Sequence, residues 1–226
     1  MGKLMQVQEK NIKGFNLIEL LVVIAIISVI SAAAYPNFSS WKKAREVRGA
    51  AVKIKSLFTN INSQVQRGLY GFVQVEVKAT TDGEVVVISK GMKLSNIVKK
   101  INDSTDDWNT DQTLRCALVQ DWDDEGNKSN KLEVNSLKFD DIAVNFEKKS
   151  GTVCFSKDGS WYSTAEEFDS SGAFYICEGK EIKCDVKDNG DPNDLDHDNL
   201  FALNWSRFGN ITLERWSKSK SEWILQ

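Results

Sequence analysis

With 226 residues, 41% of them apolar and 27% charged, the chain has material for one globular domain beside any membrane segment, and hardly for two. A formal charge of −3 gives no general argument for nucleic acid, since sequence-independent affinity rests on clustered Lys and Arg, so any basic footprint must be local. The only histidine, His197, stands in an acidic stretch, which excludes a multi-histidine metal centre and gives a Ser-His-Asp arrangement no support. Paired acids such as Asp106 with Asp107 and Asp140 with Asp141 are sequence neighbours, which a strand would point to opposite faces. Catalysis is not expected.

The first fourteen residues are polar and carry Lys3, Lys10 and Lys13 against a single acid, Glu9. From Leu20 to Ala34 the run is apolar apart from Ser28 and Ser31, and a helix continued through Phe38 would span roughly 30 Å, the thickness of a bilayer core. Glu19 opens this run. An ionised carboxylate at hydrocarbon depth costs about 2.5 to 3.5 kcal/mol, so it needs a partner or a task. The small residues in "SAAAYPNF" also suit a signal peptidase, which leaves a conventional cleaved signal as an alternative. Loop charge does not orient the segment, because Lys42, Lys43, Arg45 and Arg48 balance the basic leader. Pro36 lacks an amide hydrogen, and a kink or local melting is expected between Ala32 and Phe38.

Val47, Ala50, Ala51, Ile54, Leu57, Phe58, Ile61 and Val65 recur at helical spacing with polar residues between them. The helix is therefore expected to run to about Arg67, where "RGLYG" supplies glycines to stop it. From Phe72 onward short β-type runs follow: "FVQVEVKA", "EVVVISK", "TLRCALVQ", "LKFDDIAVNFEKK", "GTVCFSKDG", "GAFYIC", "LFALNWSRFG" and "NITLERWS", with "SNIVKKIND" as a short helix. The fold class is α+β, a long N-terminal helix packed on antiparallel β-sheets. Cys116, Cys154, Cys177 and Cys184 lack metal-site or redox spacing and read as two disulfides in an oxidising compartment, which places the C-terminal part outside the cytoplasm. Three connectivities are open. The short "CEGKEIKC" spacing leans toward Cys177 with Cys184, leaving Cys116 for Cys154.

A basic leader ending in Gly14, then Phe15, then an apolar helix with Glu19 fifth after the glycine and Pro36 near its far end, resembles the class III leader of type IV pilins and type II secretion pseudopilins. The carrying motif is "KGFNLIELLVVIAII". The resemblance implies cleavage by a prepilin peptidase between Gly14 and Phe15, and methylation of the new amino terminus. It further implies that Glu19 meets that amine on a neighbouring subunit as helices gather into a filament. Losing three lysines and one glutamate with the leader takes the formal charge from −3 to −5. "TVCFSKDGS" and "FALNWSRFGNITLERW" are similar to the ending of FimT-type and GspH-type minor pilins. The implied layout is a cleaved leader at 1–14, a membrane and filament-core helix at 15–38, its amphipathic continuation at 39–67 and a β-rich head at 68–226. The implied setting is the bacterial inner membrane, with the head in the periplasm and later in a pilus or pseudopilus. Partners would be other pilin subunits, the peptidase, the inner-membrane assembly platform and membrane lipid.

Two further constellations follow from that resemblance. Some FimT-type proteins bind DNA through a G-R-x-R pattern near the last strands. Here "GNIT" stands in its place, leaving Arg207, Arg215, Lys218 and Lys220 interleaved with Trp205, Trp216 and Trp223 as a weaker nucleic-acid candidate. Alternation assigns Leu203, Trp205, Ile211 and Leu213 to the core instead. No cofactor is required, but Asp194, Asp196 and Asp198 offer oxygen ligands on alternate residues suited to Ca²⁺, and calcium loops occur in some major pseudopilins. A solvated acidic loop is the competing reading. "DWDDEGNKSNKL" lacks the twelfth-position glutamate of an EF-hand.

Overall fold

The computed structural model describes residues 16–80, 84–103, 113–116, 122, 132–146, 151–157, 159–162, 168–169, 172–179, 184–187, 190–193, 199–206 and 210–226. The chain begins with α1 (Leu17–Gln66), followed by β1 (Tyr70–Ala79), β2 (Val85–Lys93) and α2 (Leu94–Asn102). After a 3₁₀ turn at Thr113–Cys116 come β3 (Glu133–Phe139), β4 (Ile142–Phe146), β5 (Thr152–Ser156), β6 (Gly159–Tyr162), β7 (Phe168–Asp169), β8 (Gly172–Glu178), β9 (Phe201–Trp205), β10 (Ile211–Ser217) and β11 (Glu222–Leu225). The strands make a six-stranded sheet in the order β3-β2-β1-β5-β6-β7 and a five-stranded sheet in the order β11-β10-β9-β8-β4. The recorded pairs are antiparallel. The expected α+β class is the one observed. By internal contacts the chain divides into two compact units between Lys42 and Lys43.

In the second unit the helical spacing does what an apolar stripe must. Val47, Ala50, Ala51, Ile54, Phe58, Ile61 and Val65 are buried in one cluster with Val73, Val75 and Val77 of β1, Val85 and Val87 of β2, Val144 and Phe146 of β4, Phe174 and Ile176 of β8, and Phe201, Leu203 and Trp205 of β9. Phe58 is the centre, with its ring 5.3 Å from Phe155, 5.5 Å from Phe174 and 5.6 Å from Trp205. These side chains come from both sheets, so one helical residue ties them together. The helix stops where glycine was expected to stop it. Gly68 has φ of +75°, its N–H donates to the Val65 carbonyl, and the Leu69 N–H reaches back to the Gln64 carbonyl, a Schellman ending.

Period-two alternation sends the other set of strand residues to the outer faces, where each sheet carries a smaller cluster. Phe72, Met92, Ile97, Cys116, Trp122 and Cys154 form one; Ala143, Ala173, Tyr175, Cys177, Cys184, Leu200, Ala202 and Trp216 form the other. Each contains one disulfide, Cys116–Cys154 and Cys177–Cys184, the pairing toward which the short spacing leans. Each bridge therefore fastens a covering segment to the outer face of its own sheet.

The structure corrects several expectations. "TLRCALVQ" is not a strand in its described part: Thr113–Cys116 is a 3₁₀ turn. Local β propensity loses there to tertiary ties, since the Cys116 carbonyl accepts from Gln74 Nε2 at 3.2 Å, the Arg115 carbonyl accepts from Trp122 Nε1 at 2.9 Å, and Cys116 is disulfide-bonded. Asp140 and Asp141 do not alternate within a strand. They form the bend where the chain leaves β3 for β4 in the other sheet, with Asp141 at φ +54°, a conformation aspartate tolerates better than most residues. The helical assignment of α1 continues through Pro36, so local melting is not found. Strands β6, β7 and β11 had no separate expectation.

Candidate assembly and membrane site

Gly14 and Phe15 lie outside the described residues, and the described chain enters at Asn16. Asn16 caps α1. Its Oδ1 accepts from the Ile18 N–H at 3.4 Å, and its carbonyl accepts from Glu19 and Leu20 at 3.0 and 3.2 Å. Glu19 is thereby fixed in the first helical turn, exposed, where the positive end of the helix dipole favours a carboxylate. The Asn16 cap was missed in the sequence, although Asn immediately before the apolar pair Leu17–Ile18 is a usable start signal.

Beyond Glu19 the helix turns outward what a water-soluble helix would hide. Leu17, Ile18, Leu20, Leu21, Val22, Val23, Ile24, Ile26, Ile27, Val29 and Ile30 are all exposed, Val29 to 71%. The Ser28 hydroxyl is satisfied within the helix, donating to the Ile24 carbonyl at 2.7 Å. Burying one such aliphatic side chain is worth about 1.5 to 3 kcal/mol, so this surface requires a cover of lipid or protein. Among the described residues no helix is long and apolar enough to cross a membrane; the described side chains of this run extend from Asn16 to Ala32.

The family model for the prokaryotic N-terminal methylation motif matches residues 10–35, which takes in the Gly14–Phe15 junction, Asn16, Glu19 and the exposed apolar turns. Curated relatives point the same way. The type IV major pilin protein PilA of Myxococcus xanthus is 40% identical over 47 residues, 21% of this chain and 21% of its own. The N-terminal segment of this chain is therefore similar to that of type IV pilins. A fimbrial protein of Pseudomonas aeruginosa is 36% identical over 56 residues, 25% of this chain and 36% of the relative, and the type IV wide pilus major component PilA4 of Thermus thermophilus is 32% identical over 84 residues, 37% and 57% respectively. The chain thus spans between about a fifth and just over half of the length of these relatives. No solved structure matches.

Elsewhere in the chain the candidate residues scatter. Of the nucleic-acid set, Arg207 lies outside the described residues, and Arg215 and Lys218 line a shallow cleft of about 600 Å³ with Trp216, Ser217, Ser219, Ile224 and Gln226. Lys220 pairs with Glu222 at 3.6 Å. Leu203, Trp205 and Leu213 are buried, as alternation assigns them, and Ile211 is half-buried against the same core. Asp194, Asp196, Asp198 and His197 are outside the described residues, as are Asp106 and Asp107. Among the described residues no cluster of His, Cys, Asp or Glu could hold a metal ion.

The clearest electrostatic arrangements hold the head together. Lys43 Nζ donates to Glu178 Oε1 at 2.6 Å, and that hydrogen bond with the carboxylate's charge raises the lysine pKa. Burial, reinforced by the hydroxyl's hydrogen bond to Glu133, pushes Tyr70 up to about 12. Glu133 in turn is held below its usual range by that bond and by Lys93 at 3.2 Å. Lys90, nearly buried, bridges Glu76 at 3.3 Å and the Trp122 carbonyl at 2.8 Å, anchoring the cover of the six-stranded sheet.

Proposed function

We propose that this chain is a structural subunit of a type IV pilus or of the related type II secretion pseudopilus, exported, processed and assembled through its N-terminal helix. The observation that carries this reading is the coincidence of the methylation motif with a helix surface that leaves its aliphatic residues uncovered. A prepilin peptidase cuts between Gly14 and Phe15, the amine of Phe15 is methylated, and residues 15–38 rest in the inner membrane with the head in the periplasm until the assembly platform draws the subunit into the filament. Pro36, which lacks an amide hydrogen, is the point at which this reading has the helix bend. The role is structural, not catalytic.

In this reading Glu19 has an assembly task. Cleavage creates a cationic amine four residues before it, and the carboxylate pairs with that amine on an adjacent subunit. Leaving either charge alone in a low-dielectric helix bundle is costly, which makes the pair a register device more than a source of net stability.

Processing is tested by mass spectrometry of the N-terminal peptide from cells with and without the peptidase. The expected product is peptidase-dependent N-methyl-Phe15. An intact Met1, or an N terminus near Ala34 or Tyr35, would replace this reading with an ordinary envelope protein.

A further inference from the structure

The far end of the apolar helix carries three large aromatic side chains on its surface. Tyr35, Phe38 and Trp41 are 74%, 61% and 55% exposed, and the Phe38 and Trp41 rings lie 5.8 Å apart. At 3.6 residues per turn these three and Lys42 fall within an arc of about 120°, on one face of α1. Measured along the axis from Leu17, they stand roughly 27, 32 and 36 Å away at about 1.5 Å per residue, against a hydrocarbon thickness of about 30 Å. Their positions straddle the level at which hydrocarbon gives way to headgroups.

We propose that Tyr35, Phe38 and Trp41 form an aromatic collar that seats this turn of the helix in the headgroup zone of a phospholipid bilayer. The proposal rests on the membrane residence argued above. The chemistry fits a lipid surface better than a protein groove. Tyrosine and tryptophan each join an apolar ring to one polar handle, the combination that concentrates at membrane interfaces, and Lys42 on the same face supplies a cation suited to lipid phosphate. The face is continuous with the aliphatic surface from Leu17 to Ile30, so the same lipid that covers the one meets the other. With Glu19 near one boundary and the collar at the other, the helix is held at a fixed depth before assembly.

The test uses the full chain in sealed spheroplasts, with single cysteines introduced by Val29→Cys, Ser39→Cys and Arg45→Cys and a membrane-impermeant maleimide added outside. The native cysteines are disulfide-bonded and do not react. The expected pattern is protection at position 29, slow labelling at 39 and full labelling at 45. Replacing Tyr35, Phe38 and Trp41 together by Ala should speed labelling at position 39 at least threefold, and Trp at all three positions should restore protection. An unchanged rate in the Ala variant would overturn the collar. Protection at position 39 that vanishes when the chain is expressed without other filament subunits would overturn it in favour of a neighbouring subunit. Rapid labelling at position 29 would instead remove the membrane residence on which the collar depends.

Discussion

The two halves of α1 are built from one helix and obey opposite rules. From Val47 to Val65 the apolar residues keep to a single stripe, and that stripe is buried against strands of both sheets. From Leu17 to Ile30 they go all the way round, and they are exposed. A helix that is apolar on every side cannot be completed by its own sheet, because a sheet covers one face only. The first half therefore carries a demand for partners that the second half satisfies within the chain, and the methylation motif falls on the half with the demand.

The sharpest way to separate the halves is to remove one large side chain from each. Phe58→Ala should cost the head about 3 to 5 kcal/mol, since it empties the point where rings from both sheets converge. Thermal unfolding of the full chain in detergent should show it. Ile27→Ala, removing an exposed aliphatic, should move the same transition by less than about 0.5 kcal/mol while lowering incorporation into filaments.

The disulfides sharpen the comparison on the side of the head. Loop-closure entropy gives about 4 kcal/mol for Cys116–Cys154 and about 2.5 kcal/mol for Cys177–Cys184, from sequence separations of 38 and 7. Paired Ser variants should rank in that order by denaturant midpoint, and neither should alter processing at Phe15.

Glu19→Val is the complementary change. It should leave insertion and cleavage intact, leave head stability unmoved, and reduce filament incorporation about tenfold or more, measured by immunoblot of sheared filaments against membranes. Normal incorporation would break the assignment of an assembly task to Glu19.

Smaller effects belong to the junctions. Gly68→Ala places a Cβ at φ +75° and should cost about 1 kcal/mol. Alkaline titration should also weaken the head. Tyr70 holds its proton more tightly folded than unfolded, so its contribution is complete below its ordinary pKa of 10.0 and is lost as pH rises toward about 12. Glu133 runs the other way, its contribution being lost as pH falls below its ordinary 4.5 through its lowered folded value. Stability of Tyr70→Phe followed against pH should lack the alkaline step.

Much of this arrangement was legible in the sequence because it rests on periodicity. The stripe from Val47 to Val65, the stop at Gly68, the α2 segment and the strand runs around Val73, Val87, Val144, Ile176, Leu203 and Leu213 each repeat the spacing that burial requires. What was not legible depends on contacts distant in sequence. Nothing local in "TLRC" announces that Gln74, Trp122 and Cys154 will hold it in a tight turn. The step from β3 into β4 reads as a continuous strand until Asp141 is seen to bend it between two sheets. Glu19 is conspicuous in the sequence as an isolated charge in an apolar run, whereas Tyr35, Phe38 and Trp41 share a face only once the helix places them there.

The measurement that tests the central claim most directly is photo-crosslinking in assembled filaments, with benzoylphenylalanine placed at Ile27 in the exposed apolar half of α1 and at Asn60, on the polar outer face of the half whose apolar stripe is buried. Strong subunit-to-subunit adducts from position 27 and few from position 60 are predicted. Equal yields from the two positions, or none from position 27 in filaments that contain the protein, would contradict an assembly surface on the first half of the helix.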